Sequence, residues 1–159
     1  MAEFNKYKQL LNDGEYASAE KILSGLTIEQ VTHRPSVQSH TIYDELWHTA
    51  TWQKIVVYSA DNKELSSSLY EKWKDDEIYP KVQITSLQEW NDLVKEFLEG
   101  LYKALATGEK PEVLETKVEG MSFTIGDAIQ ILATHNAYHL GKIVALRQFQ
   151  GAWPPKEQV

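Results

Sequence analysis

Between Ser86 and Gly108 the apolar residues Trp90, Leu93, Val94, Phe97, Leu98, Leu101 and Leu105 recur at spacings of three and four, behind a capping box at Ser86-Leu87-Gln88-Glu89. That stripe predicts an amphipathic helix, whose apolar face has to be covered by other elements. Two more segments read as long helices. Thr41 to Ala60 opens on a polar start, Thr41-Ile42-Tyr43-Asp44, and its apolar residues Ile42, Leu46, Trp47, Ala50, Ile55, Val56 and Val57 wrap most of the circumference, as in a buried helix. The last begins at Thr124, which has Asp127 three residues on, and runs to Gln150-Gly151, about 39 Å, before Trp153-Pro154-Pro155 stops it.

The remaining segments are shorter or less regular. The first 30 residues carry Phe4, Tyr7, Leu10 and Leu11, a turn at Asn12-Asp13-Gly14, then Tyr16, Ala19, Ile22 and Leu23, which predicts one broken helix or two short ones. Thr27-Ile28-Glu29-Gln30 starts a further helical turn that Arg34-Pro35 ends, and Ser36 to His40 reads as a linker. Asp61 to Thr85 shows no period and is expected to be an ordered excursion packed by Tyr70, Trp73 and Tyr79. Residues 109–123 are expected to hold one or two short extended pieces around a turn at Glu119-Gly120. Four helical segments with no internal repeat predict an all-α chain, an antiparallel four-helix bundle with one long crossover, of roughly 25 residues, between helices 2 and 3. At 159 residues it is expected to form a single domain, 1–159.

Composition narrows the function. A formal net charge of −7 disfavours nucleic acid and anionic membranes as partners. The amino terminus lacks a basic, apolar leader and no window is long enough for a membrane span, so the expected location is cytoplasmic. The chain has no cysteine, which excludes disulfides, thiolate metal sites and a catalytic cysteine of its own; any thiol chemistry uses a thiol brought in.

Within ATHNAYHLGK, residues 133–142, His135 and His139 stand four positions apart, about 6 Å along a helix and about 40° around it, so they face the same partner. Ala128, Ile131, Leu132, Tyr138, Lys142 and Leu146 fall within about 60° of His135, which sets the two imidazoles in an apolar seam. One histidine in such a seam is ordinarily a core residue bonded to a tyrosine or carbonyl. Two side by side each need a partner, and one divalent cation satisfies both. His48, in DELWHTATWQ, is the third candidate, since its stripe also turns toward the core. Three imidazoles from two facing helices can hold one cation with positions left for water or substrate.

Other motifs are missing. Asn136 stands where a zinc peptidase helix has its glutamate, neither His135 nor His139 has a glutamate three residues earlier as in di-iron bundles, and there is no nucleophile elbow, phosphate loop or dinucleotide glycine pattern. His40 can line the mouth of a site or be solvated, and His33, beside Arg34-Pro35, is expected at the surface. Asp44 and Asp127 are candidates for holding the outer ring nitrogens of the ligands, each having a competing role as a helix amino-terminal charge.

The combination HTIYDELWHTATWQ, a long crossover and ATHNAYHLGKIVALRQFQGAWPP resembles the DinB-like (YfiT-like) metalloenzyme superfamily across nearly the whole chain. The resemblance implies a four-helix bundle with one divalent metal held by His48, His135 and His139; imidazole ligands suit zinc first and nickel or iron next. It implies homodimers, and chemistry in which a low-molecular-weight thiol is joined to an electrophile or assists an isomerisation, as in detoxification or stress response. Members often have glutamine where this chain has Lys142, which either leaves the seam to pair with Asp44 or Glu45 or guides an anionic small-molecule substrate. Tyr138, with Trp47 and Trp52, would exclude water and hold an apolar electrophile. The alternatives are a metal-dependent hydrolase, in which the same cation activates water, and a metal-binding helical protein without catalysis.

Overall fold

The structure, a computed structural model, describes residues 6–12, 14–37, 39–58, 71, 78–118 and 122–155. Phe4, Ala60, Tyr70, Trp73 and the expected turn at Glu119-Gly120 lie outside the described residues. The first 30 residues form two short helices, α1 (Lys6–Leu11) and α2 (Ala19–Leu23), and Thr27 starts α3 (Ile28–Thr32) with a capping box closed by Gln30. The break between α1 and α2 is stitched by Asn12, whose Oδ1 accepts from the Ala19 amide at 2.9 Å. The long helices are α4 (Ile42–Tyr58), α5 (Leu87–Gly108) and α7 (Ile125–Phe149). Each begins where a side chain three residues apart from its partner satisfies a free amide, Thr41 with Asp44, Ser86 with Glu89 and Thr124 with Asp127.

Residues 109–123 depart from expectation. Pro111–Leu114 is a short helix, α6, with proline at its first turn, where the ring already has helical φ and no amide is missed. Only an isolated antiparallel bridge, Lys117 with Thr124, is extended there, and the described residues contain no strand. No helix among them is long and apolar enough to cross a membrane.

α4 packs along both α5 and α7, which touch each other little, and the short helices lie across this layer. Leu46 from α4, Phe97 and Leu101 from α5, and Leu132, Leu140 and Ile143 from α7 are completely buried. Each such side chain contributes about 1.5–3 kcal/mol by leaving water. A polar link crosses the same core. Asn136 donates to Gln53 Oε1 at 2.9 Å, and Gln53 Nε2 donates to the Phe97 carbonyl at 2.6 Å. Gly100 makes room for it, because a Cβ there would lie 2.5 Å from Gln53 Nε2.

Candidate metal centre

α4 and α7 bring His48, His135 and His139 together. One ring nitrogen from each lies within 4.8 Å of those of the other two, and the ring centroids are 4.5–5.0 Å apart. His48 and His139 are buried, and His135 is partly exposed. The buried arc of α7 runs through Ile129, Leu132, Asn136, Leu140, Ile143 and Arg147. It is centred near Asn136, about 100° round from His135. The expected seam is thus displaced: Ile131 and Tyr138 are exposed, and the histidines stand at the edge of the core instead of along its middle. At that edge His135 alone of the three keeps part of its surface in solvent.

The hydrogen bonds assign the ring protons. His48 Nδ1 lies 2.6 Å from the Ile78 carbonyl, which can only accept, so Nδ1 carries the proton and Nε2 presents its lone pair. His139 Nδ1 lies 2.6 Å from Glu45 Oε2, with the same consequence. Glu45 is fully buried. Burial alone would raise its pKa, yet the hydrogen bonds from His139 and Lys142 and the Lys142 charge bring it down to about 2. Burial lowers His48 against the opposing pull of the Ile78 bond, and burial beside His139 and His48 lowers His135 to about 3. Both rings are therefore neutral at pH 7, the state in which an imidazole can ligate.

His48 Nε2 and His135 Nε2 face each other at 3.1 Å, while His135 Nδ1 is buried with no hydrogen-bond partner among the described residues. With its proton on Nε2, His135 makes an ordinary bond to His48 and leaves Nδ1 a buried, unmatched acceptor. With the proton on Nδ1, two lone pairs oppose each other, an arrangement that only a shared cation makes favourable. A tetrahedral ion with nitrogen contacts of 2.0–2.1 Å separates adjacent ligands by about 3.3 Å. The donor set suits a divalent metal ion, and the 3.1 Å between His48 and His135 is close to that separation.

The surrounding residues sort out the other candidates. Tyr79, the described part of the aromatic excursion, stacks on His48 at 4.8 Å and meets the tilted ring of His40 at 3.6 Å, and burial beside Glu45 pushes its pKa up to about 12. His40 is part of the surroundings of the site: its Nδ1 lies 3.0 Å from Glu45 Oε1. Lys142 pairs with that same oxygen, so its charge faces a buried acid. Tyr138 sets its ring edge-to-face on His139 at 5.0 Å, and Trp52 lies 5.8 Å from His135. Trp47 packs half-buried against the core, and exposed His33 stacks on Phe149.

Neither expected aspartate reaches a ligand histidine. Asp44 is engaged by the Thr41 amide, Gln83 and Arg34, and Asp127 closes the Thr124 box at the surface. Glu45 takes the role at His139 and a backbone carbonyl takes it at His48. Spacing along one helix could not show either, because the partners are 94 and 30 positions away.

No curated protein and no solved structure matches the chain significantly. The family model described as the DinB superfamily matches residues 12–143, which span α2 to α6 and the histidine-bearing part of α7; the chain belongs to the DinB superfamily.

Proposed function

We propose that His48, His135 and His139 hold one divalent metal ion, zinc first and nickel or iron next, and that the protein is an S-transferase-like enzyme joining a low-molecular-weight thiol to a small electrophile. The observation that supports this reading is the convergence of three imidazole nitrogens whose outer partners, at two of the three rings, leave Nε2 as the inward donor. Three neutral ligands would leave a divalent ion its full charge, and the chemistry supplied is Lewis-acid stabilisation of a thiolate near neutral pH. With no cysteine in the chain, the thiol is a co-substrate.

The chain's own residues shape the approach. Tyr138, Trp52 and Tyr79 wall the histidines with aromatic surface and exclude water from an apolar electrophile. Lys142 neutralises Glu45, so the inner wall adds no net charge. The same reading takes residues 1–159 as one antiparallel four-helix bundle with a long crossover between its second and third helices, α4 and α5, working in the cytoplasm as a homodimer.

Elemental analysis of untagged protein purified without added metal is expected to give one divalent ion per chain, and its absence on reloading with Zn²⁺, Ni²⁺ or Fe²⁺ overturns the metal site. Turnover of electrophiles that requires added thiol supports transfer. Turnover without thiol replaces transfer by hydrolysis, and a metal-loaded protein inert in both screens removes the enzymatic reading.

A further inference from the structure

Resting on the metal reading, we infer that Glu45 is the positioning residue of the centre, the side chain that selects which nitrogen of His139 faces the other two imidazoles. Its carboxylate is fully buried and its two oxygens have separate tasks. Oε2 accepts from His139 Nδ1 at 2.6 Å; Oε1 faces Lys142 Nζ and His40 Nδ1, the latter at 3.0 Å. Three groups from α4's approach and α7 thereby pin one side chain of α4, and the pinned carboxylate orients the ring that α7 contributes.

The arrangement depends on both oxygens being acceptors. Lys142 has only donors to offer, so whatever stands at position 45 must turn an acceptor toward it. A carboxylate does that and still accepts from His139. An amide of the same shape cannot: with its oxygen on Lys142, its NH₂ points at His139 Nδ1, which must then accept. The ring proton moves to Nε2, the nitrogen that faces His48 and His135. Lys142 is thus part of the device, because it dictates which way the group at position 45 must point.

The test begins with the ring-nitrogen NMR spectrum of the metal-free wild type. His139 is expected as the Nδ1–H tautomer, and Nε2–H there overturns the proposal. Glu45→Gln is expected to shift His139 to Nε2–H and to weaken Zn²⁺, measured against a competing chelator, by about 10- to 100-fold. Combining Glu45→Gln with Lys142→Met frees the amide to turn its oxygen back to His139 and its NH₂ to His40, so the Nδ1–H tautomer and most of the affinity should return. A lesion that merely loosens packing would not be repaired by a second loss. Unchanged tautomer and affinity in Glu45→Gln overturn the assignment. If the wild type binds no Zn²⁺ while the tautomer still switches, Glu45 keeps its role and the metal reading fails instead.

Discussion

Arg147 and His139 stand about two turns apart on α7 and are both buried, yet their surroundings are opposite in kind. Among the described residues every bond of the guanidinium goes to a carbonyl: Nε and Nη2 reach Ala152 at 3.1 and 2.9 Å, and Nη1 reaches Ser24 at 2.9 Å and also Ile22. Trp153 lies 5.3 Å beneath it. Burial lowers the Arg147 pKa, and carbonyl dipoles with an aromatic face offset that cost in place of a carboxylate. At the histidines the outward nitrogens of His48 and His139 are matched, while the inward ones face one another. A buried polar group whose bonds all close is a fastener. A cluster matched outside at two of its three rings, with its inner nitrogens facing one another, is a group that could hold an ion.

The sharpest way to break this contrast is Arg147→Met. It leaves the carbonyls of Ile22, Ser24 and Ala152 without their donor and should cost about 3–5 kcal/mol in urea unfolding, with Zn²⁺ affinity of the folded protein unchanged within about threefold. Affinity falling in step with stability would show that the two ends are one unit. His139→Ala should do the reverse, weakening Zn²⁺ by more than about 100-fold at a cost in stability of about 1–2 kcal/mol. Retention of one equivalent of zinc per chain rejects the ligand set.

Gly100→Ala sharpens the comparison from a third polar group, the Gln53–Asn136 link. Alanine gains about 1 kcal/mol of helix propensity but displaces the Gln53 amide from the Phe97 carbonyl, a loss of about 1–3 kcal/mol. The net is a destabilisation of about 1 kcal/mol, read as a lower urea midpoint; unaltered Zn²⁺ affinity would class this link with the fasteners. The smallest effect concerns the surface caps. Hydrogen bonds from Ser86 and Thr85 lower the Glu89 pKa from 4.5, and those from Thr124 lower Asp127 from 3.8. A carboxylate lowered on folding stabilises above its unfolded pKa and loses that contribution as the pH falls through the folded value. Glu89→Gln and Asp127→Asn should therefore lower Tm slightly at pH 7 and leave it less sensitive to acid below about pH 4.5, with no change in metal binding.

What was legible in the sequence is what depends on short spacing. The boxes at Thr27, Thr41, Ser86 and Thr124 each join residues three apart, and the i,i+4 histidines face one partner for the same local reason. The facing of His48 was legible because its own stripe, with Asp44, Thr51, Trp52 and Ile55, also turns toward the core. Glu45 at His139, the Ile78 carbonyl and Arg147 were not, since each acts across 30 to 125 positions. Pro111 opens a helix where an extended segment is expected, because proline in a first turn already has helical φ. The buried arc of α7 lies away from the seam centred on His135 because Asn136 and Arg147, both polar, are each buried by a partner on a distant element.

The bond from His48 to the Ile78 carbonyl gives that ligand a tether made of main chain. Side-chain replacement at position 78 removes no acceptor, so a scan of point substitutions would find the site silent. What the tether asks for is main chain held against the ring, and Tyr79, next in sequence and stacked on His48 at 4.8 Å, is the side chain that supplies this.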